Sequence, residues 1–143
     1  VVLQEGDIVN VDVSTVYHGY FSDSSRMFCV GQVGKEKRRL VETAQKCLQA
    51  GLSQVKPWGR LGDVGQATHD IARENGYVSK RSTGMLLAPG MVFTIEPMVN
   101  MGRDDILIDE EDGWTVTTGD GLPSAQWEIQ VLVTETGYEV LAY

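Results

Sequence analysis

Four carboxylates in this sequence share a setting that isolated acids rarely have. Asp12, Asp23, Glu96 and Glu128 each lie in a stretch that alternates apolar and polar residues, and each falls on its polar side. The alternation has the period of a half-buried strand. Val9, Val11 and Val13 oppose Asn10, Asp12 and Ser14; Met91, Phe93 and Ile95 oppose Val92, Thr94 and Glu96. Ala125, Trp127, Ile129, Val131 and Val133 form an apolar face that leaves Glu128 on the other. The four acids could therefore share one side of one sheet. A hairpin turning at Tyr17-His18 sets Asp12 directly opposite Asp23. Like charges so placed are destabilising unless a proton, a cation or solvent relieves them. Hard divalent cations take oxygen ligands, and bridging carboxylates can hold two metals roughly 3.5–4 Å apart, an arrangement that activates water for hydrolysis. Taken singly, each acid reads as a solvated strand residue. Together they read as a wet sheet face or as a cation site.

The elements that must position them follow from the same patterning. Residues 7–16 and 20–30 form two strands around Tyr17-His18-Gly19, a long antiparallel hairpin. Leu40, Ala44, Cys47, Leu48, Leu52 and Val55 recur at helical spacing, so a helix is expected over 35–55, closed by Pro57. A second helix is expected over 63–74, with Asp63 at its start and Asn75-Gly76 as its stop. Residues 91–96 read as a strand ended by Pro97, 98–112 as an irregular acidic connection, and 114–118 as a short strand. After a turn at Gly119-Asp120-Gly121 come a strand over 124–134, a turn at Thr136-Gly137 and a last strand over 138–143. The expected class is α+β: one domain over 1–143, an antiparallel sheet with two covering helices.

Composition narrows the function classes. At 143 residues and 42% hydrophobic content the chain can close a core. A net charge of −8 argues against nucleic acid, whose binding draws on clustered Lys and Arg; the one basic cluster, Lys35 to Arg39, reads as a solvated first turn of a helix. No stretch has the length of a membrane span, no leader pattern opens the chain, and Cys29 and Cys47 have no disulfide-framework or zinc spacing. A cytoplasmic location is expected.

Longer segments carry a family resemblance. Glu5-Gly6-Asp7-Ile8-Val9-Asn10-Val11-Asp12-Val13 and Phe21-Ser22-Asp23-Ser24-Ser25-Arg26-Met27-Phe28 resemble the first metal-ligand strands of type I methionine aminopeptidases, including that family's eleven-residue step between the aspartates. Pro89-Gly90-Met91-Val92-Phe93-Thr94-Ile95-Glu96-Pro97-Met98, Asp112-Gly113-Trp114-Thr115-Val116-Thr117-Thr118 and Ser124-Ala125-Gln126-Trp127-Glu128 resemble later segments of the same family, in order. The resemblance implies a pita-bread fold and a metal-dependent aminopeptidase that removes N-terminal methionine from peptides and nascent proteins. It makes Asp12 a chelating ligand, Asp23 and Glu128 bridging ligands, Glu96 both a ligand and the proton shuttle, and Trp114 a wall of the methionine pocket. It implies one or two divalent ions per chain, of Mn, Co, Fe, Mg or Zn, and a metal-activated water as the attacking group.

The chain departs from the family pattern in particular places. The Gly-His-Gly-Ile-Gly segment, with its ligand histidine, and a second active-site histidine belong between the second helix and residues 89–91; here Val78-Ser79-Lys80-Arg81-Ser82 leads almost directly to Thr83-Gly84-Met85. About two dozen family residues are absent there, a strand's worth and more. The N-terminal region that carries a third histidine is also missing from the sequence. His18, at the hairpin tip, and His69, in the second helix, read as surface or packing residues. Trp58 stands where relatives usually have glycine, and Glu128-Ile129 replaces the family's common Glu-His pair. The site becomes all-oxygen, with a shift toward harder cations. Loss of a strand leaves an open edge, so a homo-oligomer in which a second copy completes the sheet is expected. Beside the aminopeptidase stand two alternatives: a catalytically degenerate pita-bread binding module that keeps a structural cation, and a trimmed form of a longer enzyme.

Overall fold

The computed structural model describes residues 2–77 and 84–142. Strands β1 (Ile8–Tyr17) and β2 (Tyr20–Cys29) pair antiparallel through a two-residue loop. That loop is His18-Gly19, with φ of 49° and 85°. Positive φ at both central positions is what a type I′ turn needs to match the strand twist, and glycine takes it without steric cost. The turn therefore falls one residue later than Tyr17-His18, and every cross-strand partner moves by two. Asp12 faces Ser25, and Asp23 faces Ser14, whose hydroxyl donates to it at 2.8 Å. The expected direct opposition of Asp12 and Asp23 is thus a diagonal one. A shift of two preserves the side-chain face, so the two acids still point the same way.

Helices α1 (Lys35–Ser53) and α2 (Leu61–Glu74) follow. α1 ends two residues before the expected Val55, which is nevertheless buried in the core. α2 begins two residues before Asp63, because the Asp63 carboxylate accepts from the Arg60 backbone N–H at 3.3 Å and so satisfies one donor of the helix start. The helices meet closely at Gly51, where a Cβ would lie 2.8 Å from Thr68 Oγ1.

The C-terminal half comprises β3 (Val92–Ile95), β4 (Met98–Asn100), β5 (Ile106–Ile108), β6 (Val116–Thr118), β7 (Ser124–Gln126), β8 (Ile129–Val133) and β9 (Tyr138–Ala142). Two expectations are corrected. The acidic connection over 98–112 contains β4 and β5, the latter paired with β6 in a hairpin whose charged surroundings mask Ile106-Leu107-Ile108. The strand over 124–134 is interrupted at Trp127-Glu128, where Glu128 turns its backbone to β2: Ser25 and Glu128 exchange N–H···O bonds of 3.3 and 3.1 Å.

β3 pairs with β8 and β4 with β7, and the two ladders keep one register, Ile95 facing Ile129 and Met98 facing Gln126. Two residues separate the ladders on each strand, so Glu96 stands opposite Glu128. Through the Ser25–Glu128 bridge, Asp12, Ser25, Glu128 and Glu96 form a row across four strands. Alternation directs Phe93, Ile95, Ile129 and Val131 toward the helices and Thr94, Glu96, Glu128 and Gln130 away. The helical side holds two core clusters, one built on Leu48, Leu52, Val64, Ile95, Ile129, Val131 and Val133, the other on Met27, Leu40, Ala44, Cys47, Val99 and Ala125. Trp127 packs against both and donates its indole N–H to the Val41 carbonyl at 3.2 Å, tying the interrupted strand to α1.

Candidate metal centre

The β1–β2 hairpin supplies Asp12 and Asp23, and the break between β7 and β8 supplies Glu128. Each offers a carboxylate oxygen, and the three oxygens lie within 4.8 Å of one another. Asp12 is exposed, Asp23 half-buried, and Glu128 only 3% exposed. Glu96, directly across from Glu128, lies outside this group of three but bears on it. Its oxygens are held on both sides: the Thr94 hydroxyl donates to Oε1 at 2.9 Å and the Gln126 amide to Oε2 at 3.1 Å. The sequence-derived set is therefore brought to one place, three acids in mutual reach and the fourth facing them.

The electrostatics show what the arrangement lacks. Burial raises the Glu128 carboxyl, and the negative charges of Glu96, Asp23 and Asp12 raise it further, to about 7, against a smaller downward pull from the nearby Thr94 hydroxyl. Asp12 is also raised, by burial and then by Asp23. Concentrated negative charge with one acid forced toward its neutral form is the condition that a bound cation relieves. The donors are all carboxylate oxygen, the set that hard divalent cations prefer. The residues present fit such an ion.

No histidine takes part. His18 sits in the hairpin loop with its ring edge-on to Tyr17, and His69 is on α2. Trp114, expected as a pocket wall, is 86% exposed beside the β5–β6 hairpin, its backbone N–H bonded to Asp112 Oδ1 at 2.8 Å. A groove of about 550 Å³ opens beside Glu96 between α2, β3 and β5, and Trp114 does not line it. Ser25, Thr94 and Gln126 were not singled out by the sequence. Each lies two residues from an acid, at Asp23, Glu96 and Glu128, and so shares its strand face; that spacing was the available signal.

An α+β fold whose strands gather carboxylates into one oxygen-donor group is of the kind that metal-binding proteins use, and comparison with known proteins identifies the class. The profile of metallopeptidase family M24 matches residues 1–135. A methionine aminopeptidase B of Synechocystis is 39% identical over an alignment that takes in 98% of this chain and 59% of the relative. The crystal structure of methionine aminopeptidase from Rickettsia prowazekii superposes with a TM-score of 0.92 at 35% identity, over 96% of this chain and 65% of that one. That of the Thermotoga maritima enzyme gives 0.91 at 32%, over 98% and 65%. The chain belongs to metallopeptidase family M24. It has the pita-bread fold of the methionine aminopeptidases, and it spans about three-fifths of their length.

The Synechocystis alignment runs over 163 residues while this 143-residue chain contributes 98% of its length, about 140, so roughly two dozen positions lack a counterpart here. The expected junction of that loss, residues 78–83, lies outside the described residues.

Proposed function

We propose that this chain is the metal-carrying part of an aminopeptidase that removes N-terminal methionine, with a divalent cation held by Asp12, Asp23 and Glu128. The observation that carries this reading is the three-carboxylate group with Glu96 facing it. When bound, the cation supplies Lewis-acid polarisation of the scissile carbonyl and lowers the pKa of the attacking water. With a cation bound, Glu96, which faces Glu128, would take the proton from the attacking water and return it to the departing amine. Its two hydrogen bonds, from Thr94 and Gln126, fix the carboxylate for that exchange. Glu128, buried and raised, gives up its proton before it can act as a ligand. Trp114 is assigned to the methionine pocket on resemblance alone. Cys29 and Cys47 are both free thiols, in keeping with a reducing cytoplasm.

The test is release of methionine from a Met-Ala-Ser peptide by protein purified with Mn²⁺ or Co²⁺, at high enzyme concentration and beside Glu96→Ala. Turnover lost in the variant supports the reading. A second reading, a binding module that keeps a structural cation, is favoured by the absence of histidine from the acid group among the described residues. It gives a metal-dependent rise in Tm without any methionine release.

A further inference from the structure

The hairpin that carries Asp12 and Asp23 joins the strands that carry Glu96 and Glu128 at very few points. Among the described residues β1 and β2 share a ladder only with each other, and their backbone bonds to the C-terminal strands are the two exchanged by Ser25 and Glu128. A single bridge fixes one point of contact and leaves the angle of two ten-residue strands to other groups. Two side-chain amides supply what is missing. Asn10 of β1 donates Nδ2–H to the Gln126 carbonyl of β7 at 2.7 Å and to Ser25 Oγ at 3.2 Å. Gln130 of β8, 9% exposed, donates Nε2–H to the Phe21 carbonyl of β2 at 3.2 Å. Asn10 faces Met27, on the Cys29 side of Ser25, whereas Phe21 lies on the opposite side of Ser25, near the hairpin loop. The amides therefore hold the hairpin on both sides of the bridge.

Their placement relative to the acids is regular. Asn10 stands two residues before Asp12, Phe21 two before Asp23, and Gln126 and Gln130 two on either side of Glu128. At that spacing each clamped residue shares a strand face with an acid, so a displaced clamp carries the acid with it. Three carboxylates whose oxygens come within 4.8 Å of one another repel, and without a cation they push the hairpin away from Glu128. The two amides oppose that push without altering the charge of the site.

We propose that Asn10 and Gln130 are positioning residues for the cation centre: their amides set the distance of Asp12 and Asp23 from Glu128, and with it the size of ion that the three acids hold best. The inference rests on the cation reading of those acids and not on peptide cleavage. Mg²⁺ demands near-ideal geometry with oxygens at about 2.0–2.1 Å, whereas Ca²⁺ accepts about 2.3–2.6 Å in flexible arrangements. A clamped hairpin favours the smaller ion. A loosened one gives up that preference before it gives up Ca²⁺.

The experiment compares the parent with Asn10→Ala and with Gln130→Met, which keeps most of the side chain's volume and drops the donor. In metal-free protein, amide hydrogen exchange followed by NMR is expected to quicken at Ser25 and Glu128 in both variants, while the β3–β8 ladder exchanges as before. With metal, the affinity for Mn²⁺, read from the electron paramagnetic resonance of the free ion, is expected to fall about tenfold in each variant. Mg²⁺ and Ca²⁺ are then titrated as competitors for the site, and Mg²⁺ is expected to weaken more than Ca²⁺; a general loss of stability weakens both alike. Unchanged exchange at Ser25 and Glu128 in both variants, or a preference between Mg²⁺ and Ca²⁺ equal to the parent's, overturns the proposal. If the parent binds Mn²⁺ and neither variant differs from it, this inference falls while the cation reading stands. If the parent binds no Mn²⁺ at millimolar concentration, the cation reading fails and takes this inference with it. Selectivity that shifts as expected without any methionine release keeps the positioning role and removes the aminopeptidase.

Discussion

Glu96 and Glu128 face each other across the only two-residue break in an otherwise continuous antiparallel ladder, with Ile95 opposite Ile129 on one side of it and Met98 opposite Gln126 on the other. Glu128 is raised first by its own burial and then by the facing Glu96, since two acids directly opposed on neighbouring strands repel. Fold stability without metal should therefore depend on pH in a definite sense. The Glu128 carboxyl is raised from 4.5 to about 7 in the folded state. A group raised on folding adds stability that is full below its unfolded pKa and lost as pH climbs through its folded one. Metal-free protein should thus lose Tm between about pH 4.5 and 7 through this group, and Glu128→Gln should flatten that part of the profile. Thermal melts in EDTA across this range, with both proteins side by side, decide it; parallel profiles would mean that Glu128 is not the titrating group.

A cation reverses the argument. Any ion that binds the folded state alone stabilises it by RT ln(1 + [L]/Kd), about 2.7 kcal/mol at a hundredfold excess over Kd. Mn²⁺ should raise Tm, and Asp23→Asn, which leaves the Ser14 hydrogen bond a partner but removes a charge from the three-acid group, should weaken Mn²⁺ binding by about tenfold or more. The affinity of the unaltered protein should fall as pH drops below about 7, because the ion must displace the Glu128 proton. Titration followed by the electron paramagnetic resonance of free Mn²⁺ reads both effects. Equal affinities for the variant and the parent would place the ion elsewhere.

Much of this site was legible in the sequence because strand alternation is a short-range signal. Asp12, Asp23, Glu96 and Glu128 each announced a polar face, and all four do share one side of the strands that carry them. What escaped was register, which depends on which residues take positive φ in a loop. His18 takes it as well as Gly19, and the choice moved Asp12 from Asp23 to Ser25. The opposition of like charges expected within the hairpin exists, but between Glu96 and Glu128, residues from strands whose pairing no local pattern specifies. β5 was hidden for a related reason: Ile106-Leu107-Ile108 is exposed and does not alternate, so nothing set it apart from the acidic residues around it.

The close approach of the two helices offers a test of the packing behind the site. Gly51 of α1 lies where any Cβ would come within 2.8 Å of Thr68 Oγ1 and 3.3 Å of Val64 and Ile95 side-chain carbons. Thr68 is held, its hydroxyl bonded to the Val64 carbonyl at 3.1 Å, so it cannot simply swing aside. Gly51→Ala should force α1 from α2 and cost about 1–3 kcal/mol despite the gain in helix propensity. Chemical denaturation measures it, and an alanine variant as stable as the parent would show that the contact relaxes.

Trp58 supplies a prediction of the opposite sign. It stands in Lys56-Pro57-Trp58-Gly59, and its φ is 64°. A side chain in the left-handed region costs about 1–2 kcal/mol, because Cβ crowds the following carbonyl. The conformation is imposed from both sides: the Trp58 N–H donates to the Leu87 carbonyl at 2.7 Å and the Gly59 N–H to the Lys56 carbonyl at 3.1 Å. With the indole 67% exposed, little apolar burial is lost on removing it. Trp58→Gly should therefore stabilise the protein, by about 0.5–1 kcal/mol once the greater freedom of glycine in the unfolded chain is set against the relief of strain. Denaturant midpoints of the two proteins, measured at equal slope, give the sign; a lower midpoint for the glycine variant would show that the exposed indole contributes contacts outweighing its backbone strain.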